Sequence, residues 1–418
     1  MTSSTRLADL FRAYVGPNQD VRFEAYDGSS AGPVDAPVTL RLQDETAVQY
    51  IATAPGDLGI ARAFVSGSLE VDGDIYTALR ALVPDQRPPI PWGRTVDLLR
   101  THGLTMVRRP PIPPLEAPHP LRRGRRHSKS RDVAAIAHHY DVSNRFYAMV
   151  LGPSMTYTCA VYPSINASLE TAQATKYDLV ARKLGLDSGM RLLDVGCGWG
   201  GMVMHAAEHY DARAIGVTLS RQQAEWANKA IAERGLSDRA EVRFMDYRDV
   251  PEAGFHAVSS IGLTEHVGRR NYAAYFAGIQ AKLRPGGRML NHCITRPNGR
   301  VRAKAGGFID RYIFPDGELA GPAVIMGVMN DNGFEIRHEE NLREHYAMTL
   351  RDWGSNLQAE WDAAVDEVGE AKARVWRLYM AASRLGFDVN RIQLHQILGV
   401  RLKGRGVSGL PLRPTWAS

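Results

Sequence analysis

Cysteine is scarce in this chain, and long apolar runs are absent. The 418 residues include three cysteines, Cys159, Cys197 and Cys293, without the C-x-x-C spacing of a metal site. A sparse, odd set of thiols argues against a disulfide-stapled scaffold, and no metal site is expected. No stretch approaches the roughly 18 apolar residues of a membrane span, and the N-terminal residues lack the pattern of a signal peptide. A cytoplasmic protein is therefore expected.

Acidic residues are nearly missing from one segment. Between Arg108 and Arg131, eight lysines and arginines accompany a single acid, Glu116, so this segment carries +7 in a chain whose net charge is +6. Six prolines lie in the same window, and proline at this density favours an extended linker. The expected division of the chain is into 1–105, a proline-rich basic linker at 106–132, and 133–418.

The part before the linker has the pattern of a small α+β domain. Apolar residues from Leu7 to Tyr14 recur at helical spacing. Residues 38–42 and 47–51 alternate as β-strands do. No catalytic constellation is apparent here, and a lipid-handling or dimerising role is the expectation for this domain.

The part after the linker alternates between strand and helix patterns, which predicts a parallel sheet wrapped by helices. Strands are predicted at 190–195, 213–218, 241–245, 256–261, 288–294, 334–338 and 392–402, and helices at 199–209, 220–234, 271–283 and 321–332. A Pro-Gly-Gly turn at 285–287 precedes the fifth strand. Two stretches interrupt the alternation, 298–320 and the helical 345–385, and both are predicted to cover a substrate.

The most informative stretch is the turn after the first of these strands. Residues 192–201 read LLDVGCGWGG, so an apolar strand ends in a glycine-rich loop that leads into a helix. Glycine lets a ligand lie against the backbone, and the first N–H groups of the helix face that ligand. The spacing differs from the G-x-G-x-x-G of dinucleotide enzymes, and no P-loop lysine is present. With Asp194 the loop instead resembles motif I of S-adenosylmethionine (SAM) methyltransferases; a glycine-rich turn without a ligand is the alternative.

This resemblance implies a class I SAM-methyltransferase fold, an α/β Rossmann-like sheet with helical lid insertions beside the small N-terminal α+β domain. Residues after the second strand occupy the place of a ribose contact, although Ser220 there is equally suited to capping a helix. Residues after the third strand are placed for adenine. The expected cofactor-binding residues are Tyr140, Asp194, Gly196, Gly198, Gly201, Thr218, Leu219, Gln223, Asp246 and Tyr247.

Five further segments make the resemblance more specific. They are 138–147 (HHYDVSNRFY), 155–162 (MTYTCAVY), 261–268 (IGLTEHVG), 291–294 (NHCI) and 312–317 (YIFPDG). In this order the chain resembles the cyclopropane-fatty-acid synthase family, which includes the mycolic acid methyltransferases. The resemblance extends over about residues 60–405 and is weak before the linker.

Membership of that family implies transfer of the SAM methyl group to a cis double bond in the unsaturated acyl chain of a membrane phospholipid. The resulting carbocation loses a proton to a bound bicarbonate ion and closes to a cyclopropane. The family's bicarbonate ligands fall by motif on Cys159, Glu265, His292, Ile294 and Tyr346. Histidine, tyrosine and backbone groups donate to an anion, whereas a glutamate accepts from the bicarbonate OH or acts as a relay base. A surface acid at Glu265 and core residues at Cys159 and His292 are the structural alternatives.

Two departures leave the product open. Thr264 stands where relatives often have a bulky apolar residue, and Asp316 stands where glycine is common. Either change is able to favour the branch of the family that makes a 10-methylene chain, the precursor of a 10-methyl, tuberculostearate-type acid. A non-catalytic lipid-binding protein and an RNA methyltransferase are the alternatives of other classes.

The basic linker suggests the partners. Lysines and arginines at 108–131 suit an anionic membrane surface, so we expect peripheral attachment at the inner face of the cell membrane. Interleaved aromatic residues are missing from this arm, and no nucleic-acid partner is expected. A homodimer is expected by family analogy.

Overall fold

A computed structural model describes residues 6–16, 18, 20–83, 108–113, 115–117, 142–299, 306–314 and 317–416. The chain divides into two compact units. The first comprises Met1–Pro120, Gly306–Pro315 and Leu357–Leu385, and the second comprises Leu121–Ala305, Asp316–Asn356 and Gly386–Ser418. Two segments that follow the linker in sequence thus belong to the first unit, a division that differs from one placed at the linker alone.

The helices and strands are numbered here in chain order. Those up to residue 83 are α1 (Leu7–Val15), β1 (Val21–Ala25), β2 (Ser30–Ala31), β3 (Val38–Leu42), α2 (Glu45–Thr53), α3 (Asp57–Val65), β4 (Leu69–Asp72) and α4 (Ile75–Ala81). Those that follow are α5 (Asn144–Leu151), α6 (Leu169–Leu184), β5 (Arg191–Val195), α7 (Gly201–Tyr210), β6 (Arg213–Thr218), α8 (Arg221–Glu233), β7 (Ala240–Phe244), β8 (Phe255–Ile261), α9 (Thr264–Val267), α10 (Tyr272–Lys282), β9 (Leu283–Thr295), α11 (Pro322–Asp331), β10 (Glu335–Asn341), α12 (Arg343–Ala359), α13 (Trp361–Val368), α14 (Glu370–Asp388) and β11 (Gln393–Val400).

The first unit contains a four-stranded mixed sheet in the order β2-β1-β3-β4. The predicted helix near the N-terminus is confirmed as α1, and the predicted strand at 38–42 is confirmed as β3. The predicted strand at 47–51 is wrong, because these residues lie inside α2. Asp44 caps this helix by accepting from the N–H of Thr46, and Ala47 and Tyr50 are buried three residues apart, which is helical spacing.

A buried carboxylate joins three separate parts of the first unit. Glu116, the one acid of the basic segment, receives two hydrogen bonds from the guanidinium of Arg62 on α3, each 2.7 Å long. It also lies 3.4 Å from Arg311 and accepts from the hydroxyl of Tyr312 at 3.3 Å. Because a buried charge is stable only when it is paired, these contacts attach the linker start and the segment 306–314 to α3.

The second unit is built on a seven-stranded sheet in the order β10-β11-β9-β8-β5-β6-β7. Strands β5 to β9 are mutually parallel, whereas β11 is antiparallel to both of its neighbours. The predicted α/β fold is therefore confirmed, with each predicted strand of this sheet present. The Pro-Gly-Gly turn lies within β9, where the pairing with β8 shifts register between Phe255 and Ala257.

The order of the strands decides where a ligand can bind. The chain proceeds from β5 outward to β6 and β7, then returns to place β8 on the other side of β5. In open α/β sheets a crevice forms at the carboxyl ends of strands where the order reverses in this way. The loops that follow β5 and β8 therefore face the same crevice. Among the described residues, none of the helices combines the length and apolar composition needed to cross a bilayer.

Candidate active site

A cavity opens at this reversal point and is lined by the glycine loop. Its other walls are the end of β8, residues 155–158 and two residues of α6. Gly196 and Gly198 have φ values of 73° and 54°, a region that L-residues rarely adopt. The N–H groups of Gly196 and Cys197 donate to the carbonyl oxygen of Val217 over 2.9 and 3.0 Å, which ties the loop to β6. The helix α7 then begins at Gly201, so its first N–H groups lie at the cavity wall.

Asp194 is a buried carboxyl group on the wall of this cavity. Its Oδ1 accepts a hydrogen bond of 2.6 Å from the hydroxyl of Ser259 on β8. Burial raises the pKa of Asp194 to about 6, an effect that Ser259 and the positive charge of Lys176 oppose. Asp194 on β5 is thus tied by a side-chain hydrogen bond to β8, the strand on the other side of the point at which the sheet order reverses.

Lys176 is a charged residue of the cavity that the sequence reasoning missed. Its side chain is fully buried on α6, lines the cavity, and donates to the hydroxyl of Thr158 over 3.1 Å. The ammonium nitrogen lies 3.6 Å from the ring centroid of Tyr177. Burial lowers the pKa of Lys176 to about 7. The sequence does indicate that Lys176 is buried, because Ala172, Lys176 and Leu179 recur at the spacing of one helix face.

A second cavity adjoins the glycine loop at the ends of β6 and β7. Thr218, Leu219, Gln223 and Tyr247, four of the residues expected to bind the cofactor, line this cavity. The hydroxyl of Thr218 donates to Oε1 of Gln223 over 2.7 Å, and Ser220 caps α8. The carboxylate of Asp246 is instead paired with Arg248 at 2.6 Å, and Arg248 itself lines the cavity. Tyr140 lies outside the described residues.

Glu265 stands at the start of α9, just after β8, with 9% of its surface exposed. Its Oε1 accepts a hydrogen bond of 2.7 Å from the N–H of Ile294 on β9. Its Oε2 is buried and has no hydrogen-bond partner among the described residues. Burial raises the pKa of Glu265 to about 7, an effect that the bond from Ile294 opposes. The N–H of Ile294, expected to face an anion, thus orients the carboxyl group.

His292 is fully buried on β9, beside the end of β8. Its carbonyl oxygen accepts from the N–H of Gly262, which lines the first cavity, over 2.8 Å. Its Nδ1 lies 3.1 Å from the side-chain amide nitrogen of Gln396 on β11. Its Nε2 is buried with no hydrogen-bond partner in the described part of the chain. Burial lowers the pKa of His292 well below its ordinary value, and the charges of Lys176 and Lys183 lower it further.

Cys159 and Tyr346 are joined through the start of α12. The Sγ of Cys159 lies 3.9 Å from the carbonyl oxygen of Leu342, which accepts the N–H of Tyr346. Burial raises the pKa of the Cys159 thiol, so the group is protonated at neutral pH. The ring of Tyr346 packs on Phe387 with a centroid separation of 4.5 Å. This environment therefore disfavours a thiolate at Cys159, and with it a nucleophilic role for that residue.

The positive charge of Lys176 affects several buried groups near the cavity. It influences the pKa values of Asp194 on the glycine-loop side and of Cys159 and His292 on the other. The charge of this cavity residue is therefore felt by buried polar groups on β9 and in the segment 155–162 as well as by Asp194. Within the described ranges, no cluster of three or more His, Cys, Asp or Glu residues is suited to holding a metal ion.

Comparison with known proteins agrees with this architecture. A family model described as mycolic acid cyclopropane synthetase matches residues 127–397. A probable fatty acid methyltransferase of Mycobacterium tuberculosis is 52% identical over 424 residues, which cover 99% of each chain. The cyclopropane-fatty-acyl-phospholipid synthase of Escherichia coli (strain K12) is 30% identical over 366 residues, covering 87% of this chain and 88% of that one.

A solved structure gives the same assignment. A mycolic acid cyclopropane synthase in complex with SAH and CTAB superimposes with a TM-score of 0.61 at 32% identity. The match covers 64% of this chain and 98% of that chain. The protein therefore belongs to the mycolic acid cyclopropane synthetase family and is a SAM-dependent methyltransferase.

Proposed function

We propose that the enzyme transfers a methyl group from SAM to the cis double bond of an unsaturated acyl chain in a membrane phospholipid, and that the product is a cyclopropane fatty acid. One observation carries the proposal. Glu265 Oε2 and His292 Nε2 are buried polar atoms without a hydrogen-bond partner among the described residues. Buried polar groups are normally paired, so both atoms are suited to a ligand that enters the site.

The residues present fit SAM. The glycine loop and the N-terminus of α7 offer backbone donors, and Lys176 offers a buried positive charge for the methionyl carboxylate. Thr218, Gln223 and Tyr247 line the adjoining cavity for the nucleoside. When bound, SAM supplies the activated methyl group. The protein's contribution is to hold the acceptor double bond in line with that group and to exclude water.

The residues present also fit bicarbonate. This ion offers one O–H donor and acceptor oxygens, which complement an accepting carboxylate at Glu265 and a donating nitrogen at His292. When bound, bicarbonate supplies the base that takes a proton from the transferred methyl group. The positive charges of Lys176 and Lys183, both of which lower the pKa of His292, favour an anion here. Cys159 and Tyr346 act as buried walls of the site.

Aromatic side chains supply a surface for a carbocation. Tyr157, which lines the first cavity, lies 5.4 Å by ring centroids from Trp353, and Trp353 lies 6.1 Å from Tyr346. Aromatic faces attract a cation without donating a bonding electron pair. These rings therefore favour positive charge on the acyl chain without trapping it.

The proposed lipid substrate also bears on where the enzyme acts. Arg108 and Arg109 are exposed, and the proposed role of the basic residues at 108–131 is reversible attachment to an anionic membrane surface. Attachment from the cytoplasmic side would bring the enzyme to acyl chains that remain in the leaflet. For the first unit we propose a lipid-handling or dimerising role, with a homodimer as the assembly.

The deciding experiment uses oleoyl phospholipid vesicles, methyl-labelled SAM and bicarbonate, with the product identified by mass spectrometry. The expected product has gained one CH₂ and has lost its olefin. A product that gains CH₂ but keeps an exocyclic olefin would assign the 10-methylene alternative. The name of the Mycobacterium tuberculosis relative specifies methyl transfer to a fatty acid but no ring. Absence of label in the lipid, or label in RNA, would refute the proposal.

Substitutions distinguish the proposed bicarbonate ligands from the residues that would bind SAM. Glu265→Gln and His292→Gln each remove a partner of the bicarbonate base. They are expected to lower turnover by a factor on the order of 10² to 10⁴, the contribution of general base catalysis, without weakening SAM binding. The exposed Glu233→Gln is the matched control and is expected to keep full activity. Loss of SAM affinity in the first two variants would show that these residues belong to the cofactor half.

A further inference from the structure

A chain of polar side chains leads from the edge of the sheet to His292. Glu340 on β10 pairs with the ammonium of Lys183 on α6, which donates to Oε1 of Gln396 on β11 over 2.7 Å. The amide nitrogen of Gln396 lies 3.1 Å from Nδ1 of His292. Lys183 and Gln396 are fully buried, whereas the side chain of Glu340 is 38% exposed.

The lysine determines which way the glutamine amide faces. An ammonium group only donates hydrogen bonds, so it requires the amide oxygen of Gln396 as its partner. A flipped amide would set an NH₂ group against the ammonium and leave two donors facing each other in a buried site. The amide NH₂ of Gln396 therefore faces His292.

The glutamine in turn determines where the imidazole carries its proton. An amide NH₂ only donates, so Nδ1 of His292 accepts and the ring hydrogen of the neutral imidazole resides on Nε2. We propose that Lys183 and Gln396 are positioning residues that hold His292 in the Nε2–H tautomer. Nε2, which has no hydrogen-bond partner among the described residues, then donates to the anion of the active site. This inference rests on the proposed function for the identity of the anion, but the tautomer itself does not depend on it.

The register of the sheet makes this arrangement rigid. Gln396 and His292 are directly paired residues of the antiparallel strands β11 and β9. Both side chains are buried, so neither exchanges with water for its hydrogen bonds. In metal sites, partners of this kind fix the orientation and tautomer of the ligating histidine, and their loss reduces metal affinity or activity by about 10- to 100-fold; we expect a loss of the same order here.

The test is ¹⁵N NMR of the histidine side chains in the full-length protein, with the His292→Gln spectrum identifying the signals of this ring. The wild type is expected to show a protonated Nε2 and an unprotonated Nδ1. Gln396→Glu places an acceptor beside Nδ1 and is expected to move the proton to that nitrogen. Gln396→Met, which offers no donor, is expected to give a mixture. Gln393→Glu, the same change on the same strand where the side chain contacts Asn390, is the matched control.

Kinetics complete the test. Gln396→Glu is expected to lower kcat by about 10- to 100-fold and to leave the Kd for SAM unchanged, which also shows that the variant is folded. A wild-type His292 protonated on Nδ1, or a tautomer that Gln396→Glu leaves unchanged, would overturn the inference. If the proton moves but kcat does not fall, control of the tautomer stands and the proposed anion role of His292 is refuted.

Discussion

The raised pKa of Glu265 predicts how the free energy of unfolding depends on pH. Its pKa is raised from 4.5 to about 7 by burial. Below pH 4.5 the group is protonated in the native and unfolded states alike. Between these two pKa values the native protein keeps a proton that the unfolded chain has released, so the free energy of unfolding falls as the pH rises. Above about pH 7 the whole difference, about 3 kcal/mol, opposes folding.

Replacement by glutamine removes this dependence, because an amide does not ionise. Between pH 5 and pH 8 the free energy of unfolding of Glu265→Gln is expected to rise relative to the wild type by about 2.5 kcal/mol. Urea unfolding measures it, with the fluorescence of Trp199 and Trp353 reporting on the second unit. Glu233→Gln, at an exposed position, is the control and is expected to show no such difference between the two pH values.

The opposite sign would refute the reasoning. If Glu265→Gln loses stability relative to the wild type as the pH rises, the carboxylate is stabilised in the native state and its environment is polar. A difference that does not change with pH would show that burial has no effect on this group. Added bicarbonate is expected to reduce the pH dependence of the wild type, because its O–H group would donate to Glu265 Oε2.

Three further predictions address other parts of the molecule. Gly196→Ala and Gly189→Ala each force alanine to φ 73° and are expected to lose about 1–2 kcal/mol of stability, but only Gly196→Ala, at the cavity, should also weaken SAM binding in calorimetry. Lys176→Met is expected to raise the Kd for SAM by about 10- to 100-fold, with the exposed Lys229→Met as control. Because the pKa of Lys176 is lowered to about 7, wild-type affinity should fall above that pH, and a flat profile would contradict the assignment. Glu116→Ala leaves the guanidinium of Arg62, which is 13% exposed, without its carboxylate partner and is expected to destabilise the first unit by about 3 kcal/mol in urea unfolding, the lower end of the range for a fully buried pair. An effect below about 1 kcal/mol would show that this pair contributes little.

Local pattern was enough to predict most of the second unit. The strand at 213–218 has the predicted bounds, and the others differ by a few residues. Parallel strands buried on both faces give continuous apolar runs, which a single sequence displays directly. The error at 47–51 arose because a short alternating apolar run fits a strand and a helix turn equally well. Asp44, which accepts a hydrogen bond from the N–H of Thr46, caps the helix that forms there.

The sequence also indicated which residues line the two cavities beside the glycine loop. Gly196 and Gly198 reveal a backbone conformation that other residues rarely adopt, so the residue type itself marks the turn. Thr218 and Gln223 follow a strand end, and the carboxyl ends of parallel strands share one edge of the sheet. The pairing of Asp246 with Arg248, which lines the cavity, was not predicted from the sequence.

The sequence by itself determined the strand–helix order, the glycine turn and the types of residue at the site, because each depends on neighbours within a few positions. Tertiary structure alone decided what those residues do to one another. Ile294 orients Glu265 across 29 positions, Gln396 faces His292 across 104, and Lys183 reaches Gln396 across 213. Burial then converts a lysine, a glutamate and a histidine of ordinary type into groups with shifted pKa values. Desolvation belongs to the packed sheet and its helices, and no local stretch of sequence contains it.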